Sequence, residues 1–132
     1  MTRAFPRRVD ALEEIFRFVS EFTAAHGLPE SRGLDIQFVV EELFTNMLKY
    51  DRDGEEKVAI QLRLGGDRIE VALTDPGVEP FDVTRVPEPD LERPLEERGF
   101  GGLGLHLVRK LSESFEYRYA GGNSTVIVTI RR

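Results

Sequence analysis

The first group of residues with a spacing suited to phosphate chemistry is Glu42-x-x-x-Asn46-x-x-Lys49. At about 100° per residue, these three side chains fall on one face of a helix. An amide oxygen is a hard ligand that suits Mg²⁺, and a carboxylate one turn away can deprotonate an attacking hydroxyl. A lysine one turn further along can neutralise phosphate charge. The same stripe is also typical of a solvated helix face.

The second group is Asp75-Pro-Gly77, which follows a segment of alternating apolar residues. A carboxylate at the end of a strand can accept a hydrogen bond from the exocyclic amine of a base, and a glycine lets a flat base approach the backbone. An ordinary Asp-Pro-Gly turn explains the same residues. Thr125, in a later alternating segment, could complete a base pocket with Asp75 or could be a simple cross-strand threonine.

The third group is the glycine-rich segment Gly99 to Leu105, which precedes an apolar helical pattern. Glycines at the start of a helix expose backbone N–H groups and the positive helix end to phosphate. The segment matches G-x-G-x-x-G, but a dinucleotide-binding fold requires that motif after its first strand, with an acidic residue about 20 positions later. Here the motif lies near the C-terminus and position 124 is a serine. The His-Arg-Asp and Asp-Phe-Gly triplets of eukaryotic-type protein kinases are missing from the sequence.

Hydrophobic periodicity predicts the elements that position these groups. Spacings of three and four residues indicate helices, and spacings of two indicate strands. We predict an α+β fold, a two-layer sandwich in which helices cover one face of a mixed, mostly antiparallel sheet. The predicted helices are residues 9–25, 35–50 and 105–111, with a glycine stop at Gly27 followed by a turn through Pro29 and Gly33. The predicted hairpin strands are 58–64 with 69–74 and 115–119 with 126–130.

A long segment without a regular period separates the second group from the third. Five of the seven prolines lie between Asp75 and Arg98. A stretch of this length inside a compact domain is usually a functional loop. We therefore predict a lid over about residues 78–100, which is mobile without nucleotide and ordered by it.

Composition restricts the class of protein. The 132 residues fit a single domain spanning 1–132. A net charge of −6 argues against a nucleic-acid partner or an anionic membrane surface, and the lack of cysteine excludes disulfides and thiolate metal sites. No stretch approaches the roughly 20 apolar residues of a membrane span. We expect a soluble, cytoplasmic protein.

The order of the three groups, with a proline-rich lid before the third, resembles the GHKL ATPases. That superfamily carries an N box (Glu-x-x-x-Asn), a first glycine box (Asp-x-Gly) and a second glycine box (Gly-Leu-Gly-Leu). Within it, the chain is most similar to the anti-sigma-factor serine/threonine kinases of the RsbW type. Those kinases carry Asp-x-Gly-x-x-Phe-Asp. Here Asp75-Pro-Gly77 is followed by Phe81-Asp82 with three intervening residues instead of two, and Gly-Gly-Leu-Gly-Leu lies at Gly101 to Leu105. Lys49-Tyr50 looks more like the N box of sensor histidine kinases, and Glu79 replaces a glycine common in the first glycine box.

The resemblance implies a Bergerat-type ATP-binding fold with ATP and Mg²⁺ as cofactors. It implies that Glu42 is the general base, Asn46 the Mg²⁺ ligand and Asp75 the adenine partner, with the backbone from Gly101 to Gly104 holding the phosphates. Together with the residues assigned from spacing, the expected ATP-binding set is Asn46, Lys49, Asp75, Gly77, Gly101, Gly102, Leu103, Gly104, Leu105 and Thr125.

The resemblance also implies transfer of the ATP γ-phosphate to a serine or threonine of a small antagonist protein of the STAS type. A sigma factor is the second partner to consider, and a homodimer is left open. Two other functions fit the same motifs. One is an ATP-gated binding module without transfer, and the other is the catalytic domain of a sensor histidine kinase.

Overall fold

Three α-helices and five strands make up the part of the chain that the structure, a computed structural model, describes: residues 1–50, 57–76 and 102–132. A short 3₁₀ helix, Val9–Ala11, precedes the first α-helix. The helices are α1 (Leu12–Ala25), α2 (Glu30–Tyr50) and α3 (Gly102–Leu111), and the strands are β1 (Thr2–Phe5), β2 (Val58–Gly65), β3 (Arg68–Pro76), β4 (Ser114–Ala120) and β5 (Asn123–Arg131).

The strands form one sheet in the order β1-β2-β3-β5-β4, in which every neighbouring pair is antiparallel. The predicted α+β class is confirmed. The described strands form two hairpins, β2-β3 and β4-β5, joined through an antiparallel β3-β5 pairing.

The core lies between one face of the sheet and the helices. Alternate residues of β2, β3 and β5 are buried, and α2 packs on β3 and β5. Fully burying a large apolar side chain contributes roughly 1.5–3 kcal/mol. The fully buried side chains include Ile15, Phe18 and Phe22 of α1, Ile36, Leu43 and Phe44 of α2, and Ile60, Leu62, Leu73 and Val128 of the sheet.

Helix α2 begins at Glu30 rather than near Asp35 as predicted. The carbonyl oxygen of Pro29 accepts hydrogen bonds from the N–H groups of Arg32 and Gly33, at 3.0 and 3.2 Å, which closes the first turn. Gly33, expected in a turn, lies inside the helix. A Cβ at this position would lie 3.2 Å from Cγ2 of Thr23 in α1. This glycine therefore permits the close approach of α1 and α2.

Strand β1 was missed by the sequence analysis. Of its four residues only Phe5 is buried, so the segment shows no alternation that could have revealed a strand. It pairs with β2 at the edge of the sheet, with Phe5 opposite Val58. The predicted stop after α1 is confirmed, since Gly27 adopts a φ of 60°, in the left-handed region that favours glycine. Across residues 1–50, 57–76 and 102–132, no helix is long and apolar enough to cross a membrane.

Candidate active site

Asn46 lies on the buried side of α2, only 1% exposed. Its Nδ2 donates a hydrogen bond to the backbone carbonyl of Glu42 at 2.7 Å, while its Oδ1 is buried without a hydrogen-bond partner among the described residues. A buried polar oxygen without a partner is rare in folded proteins and calls for an explanation, such as a ligand or ion. The alternative of a solvated helix face does not hold for this residue.

Glu42, one turn before Asn46, is half-buried. Burial raises the pKa of its carboxyl group above the ordinary value of 4.5, and the nearby charge of Glu41 raises it further. The positive charge of the exposed Lys49, in the last turn of the helix, partly opposes these two effects. A carboxylate whose pKa is raised toward neutrality is better suited to act as a general base.

Helix α3 brings the third group of residues against the first. A Cβ on Gly104 would overlap Oε2 of Glu42 and lie 3.1 Å from its Oε1. The helix is anchored by Leu105 and Val108, whose side chains belong to the core. Leu105, expected to contact nucleotide, can therefore do so only through its backbone. The first N–H groups of a helix have no partner within it and can receive a phosphate.

Asp75 is buried on the helix-covered face of the sheet, near the end of β3. Its Oδ1 is paired with Nη2 of Arg7, and the two side chains are only 5% and 7% exposed. Arg7 was not among the residues predicted from the sequence, because an ion pair between residues so far apart in the chain leaves no local pattern.

Thr125 is not placed in a pocket with Asp75. Its register partner is Thr74, and the two hydroxyl oxygens are 3.1 Å apart. Since side chains alternate along a strand, both threonines lie on the face of the sheet opposite Asp75. Ser124 is the register partner of Asp75 and is buried beside it, with its hydroxyl 3.2 Å from that of Tyr117. The alternation of the buried residues Val126, Val128 and Ile130 was the signal that could have favoured Ser124.

The glycine-box residues are only partly described. Gly102 and Leu103 begin α3. Gly77, Gly101 and the predicted lid over residues 78–100 lie outside the described residues.

A family model described as a histidine kinase-like ATPase domain matches residues 5–130. The chain belongs to this family. Two curated relatives of this ATPase domain are named serine-protein kinase RsbW. The one from Listeria monocytogenes is 32% identical over 99 residues, 70% of this chain and 62% of that protein. The one from Halalkalibacterium halodurans is 30% identical over 92 residues, 67% of this chain and 56% of that protein. The matched region therefore spans less than two thirds of these relatives.

Solved structures show the same fold for the ATPase domain. The RsbU and RsbW domains of a Mycobacterium tuberculosis protein match with a TM-score of 0.69 at 15% identity, over 99% of this chain and 31% of that chain. The SiaB-SiaC complex from Pseudomonas aeruginosa also gives 0.69, at 17% identity, over 98% of this chain and 88% of that chain. Both likenesses concern the fold alone.

The residues of the ATPase domain fit Mg²⁺ bound together with a nucleotide. No group of three or more His, Asp or Glu side chains that could hold a metal by itself occurs in the described ranges. Mg²⁺ commonly takes one or two protein ligands and completes its octahedron with water and phosphate oxygens. The unbonded Oδ1 of Asn46, on the same helix as the Glu42 carboxylate, fits that requirement.

Proposed function

We propose that this domain is an ATP-dependent serine/threonine protein kinase of the anti-sigma-factor type. It transfers the γ-phosphate of Mg-ATP to a hydroxyl of a small antagonist protein. The observation that carries the proposal is the contact between Gly104 and the Glu42 carboxylate, since it joins the predicted base to the predicted phosphate-binding helix. Membership of the histidine kinase-like ATPase family and similarity to proteins named serine-protein kinases support it.

Each polar group has a distinct part in the proposed reaction. Asp75 accepts a hydrogen bond from the adenine amine, with Ser124 beside it. Asn46 provides the protein ligand for Mg²⁺, which when bound neutralises phosphate charge. The backbone N–H groups at the start of α3 hold the phosphates.

The chemical step needs a base close to the terminal phosphate. The serine or threonine oxygen of the partner attacks the γ-phosphorus while its proton passes to the Glu42 carboxylate. The bond to the bridging oxygen breaks and ADP leaves. The raised pKa of Glu42 makes it a stronger proton acceptor than an ordinary carboxylate.

The partner in this proposal is a separate protein. RsbW relatives and a fold neighbour solved as the SiaB-SiaC complex agree with a domain that works on a second chain. We propose an antagonist of the STAS type as the phosphate acceptor, a sigma factor as a second partner, and action in the cytoplasm. The proposal retains a single domain over residues 1–132 with a lid over residues 78–100, and it leaves the homodimer to be measured.

Nucleotide binding is tested by calorimetry with Mg-ATP on the wild type, Ser124→Val and Thr125→Val. The two substitutions lie side by side on β5 but on opposite faces of the sheet. Valine at position 124 adds bulk and removes a hydroxyl beside Asp75, so we expect ATP affinity to fall by roughly tenfold or more. Thr125→Val is the control and should bind like the wild type.

Circular dichroism must first show that both variants are folded, because overpacking at a buried site can cost about 1–3 kcal/mol. If a folded Ser124→Val protein binds ATP as tightly as the wild type, the adenine pocket lies elsewhere. Lack of ATP binding by the wild type would overturn the proposed function.

A further inference from the structure

Arg7 and Asp75 form a buried ion pair that the proposed reaction does not use. Arg7 lies between β1 and the 3₁₀ helix, where the N–H of Arg8 donates to the Pro6 carbonyl oxygen at 2.8 Å. The neighbouring Arg8 points outward and pairs at 3.2 Å with Asp10, both more than two thirds exposed. Of these two adjacent arginines, only Arg7 turns inward, and it contacts the carboxylate assigned to adenine.

The burial of this pair affects access to Asp75. With its side chain only 5% exposed, the carboxylate cannot receive an adenine amine unless a covering group moves, and Arg7 is in direct contact with it. The Arg7 guanidinium and the Asp75 carboxylate attract each other as two opposite charges, whereas an adenine amine is a neutral donor. The adenine amine must therefore displace the charged Arg7 guanidinium from the Asp75 carboxylate.

We propose that the Arg7 side chain competes with adenine for the Asp75 carboxylate. The competition holds the nucleotide-free protein in a form that disfavours ATP. This inference rests on the proposed assignment of Asp75 to adenine. ATP binds when Arg7 swings away, which its place in a short connecting segment allows. The apparent dissociation constant is then the intrinsic one divided by the fraction of molecules in which the pair is open. With the pair open about one tenth of the time, ATP binds roughly tenfold more weakly than it would without Arg7.

The test compares Mg-ATP binding by calorimetry for the wild type, Arg7→Ala and the matched control Arg8→Ala. We expect Arg7→Ala to bind ATP roughly tenfold more tightly and Arg8→Ala to bind like the wild type. The gain should depend on the carboxylate. In an Asp75→Asn background, the same Arg7→Ala change should produce little or no gain. Affinity that is unchanged or weaker in Arg7→Ala would overturn the inference.

A second measurement uses the wild type, because Arg7→Ala leaves a buried carboxylate without its counter-charge and could unfold. The ¹⁵N-¹H signal of the Arg7 Nε–H group should be protected from solvent exchange in the free protein and lose that protection on saturation with Mg-ATP. Retained protection with bound ATP would refute the competition while leaving the proposed function intact. If neither the wild type nor Arg7→Ala binds ATP, both proposals fail together. Binding by Arg7→Ala alone would support the competition but would contradict the proposed function, since the wild type would then not bind ATP.

Discussion

Within the described part of the chain, one hydrogen bond orients the side chain of Asn46, from its Nδ2 to the carbonyl oxygen of Glu42. Because the amide nitrogen is used within the helix, the carbonyl end is the one left unbonded. The i,i+4 spacing of the two residues thus does more than align them on one face. It determines which atom of Asn46 is available to a metal.

Replacing Asn46 with alanine should remove the magnesium dependence of ATP binding. The variant loses the one protein ligand assigned to the ion, so the affinity advantage that Mg²⁺ gives the wild type should largely disappear. The measurement is ATP calorimetry with Mg²⁺ and with a chelator. Gln37→Ala, which removes a half-buried amide earlier on the same helix, is the control. An Asn46→Ala protein that keeps the full wild-type Mg²⁺ effect would show that the metal is held elsewhere.

The acidic limb of the pH-rate profile should report Glu42. The base works only when ionised, so phosphoryl transfer should decline as pH falls through the raised pKa, above the ordinary value of 4.5. Since the charge of Glu41 contributes to the increase, Glu41→Gln should move this limb to lower pH. Single-turnover rates measured across pH test this expectation. If the acidic limb stays at the same pH in Glu41→Gln, the group that titrates there is not the Glu42 carboxyl group.

Site residues could be predicted where the relation between them is local. Glu42 and Asn46 lie one turn apart on a single helix, so spacing alone placed them together. The pairing of Arg7 with Asp75 and the choice of Ser124 over Thr125 depend on strands far apart in the chain. Both relations arise from the fold. The choice of Ser124 over Thr125 becomes visible only in the register of β3 with β5.

At the scale of elements, the contact between α2 and α3 decides whether the base is well placed. Gly104 leaves the space that the Glu42 carboxylate occupies. The overlapping atoms belong to the end of a flexible side chain, so a methyl group at this position would displace the carboxylate rather than break the helix packing. The missing side chain of Gly104 therefore leaves room for the carboxylate of Glu42, so the second glycine box and the N box fit against each other.

Gly104→Ala should accordingly impair transfer without destabilising the protein. A displacement of about 1 Å at a reacting group can cost about a hundredfold in rate, so we expect a loss of that order. Stability should hold or rise, because alanine is favoured over glycine inside a helix by about 1 kcal/mol. Gly65→Ala is the control, since a Cβ there would meet open space. Thermal unfolding and transfer rates together test the prediction. If Gly104→Ala transfers phosphate at the wild-type rate, Glu42 does not depend on the missing side chain at residue 104.

Elements were predictable where one face is buried along their whole length. Strands β2, β3 and β5 and the second half of α2 follow the apolar period of the sequence in this way. Strand β4 alternates aromatic with charged residues and was predicted from that alternation, although none of its residues is buried. The start of α2 was placed too late because Gly33 was interpreted as a turn residue, whereas the structure uses its missing side chain for contact with Thr23. Strand β1 left no signal, since a short edge strand buries a single side chain.

At the scale of the whole molecule, the elements that carry the proposed groups pack on one another although they come from separate parts of the chain. Asp75 near the end of β3 faces Ser124 at the start of β5, and α2 packs on both strands while contacting α3. The antiparallel order of the sheet brings the two strand ends together.

The most direct test of the account is transfer of label from γ-labelled ATP to a partner protein. Immobilised Glu42→Gln protein can capture that partner from an extract of the source cells, and the purified partner is then incubated with the wild type, Glu42→Gln or the control Glu41→Gln. Glutamine keeps the shape of the side chain but cannot accept the proton. Loss of a positioned base costs about 10²–10⁴ in rate.

We predict that the wild type and Glu41→Gln label a serine or threonine of the partner. Glu42→Gln should do so at least about a hundredfold more slowly while binding ATP and partner within a few-fold of the wild type. Equal rates for the wild type and Glu42→Gln would remove Glu42 as the base. ATP-dependent capture of the partner without label from any of the three proteins would contradict the kinase and identify an ATP-gated binding module instead.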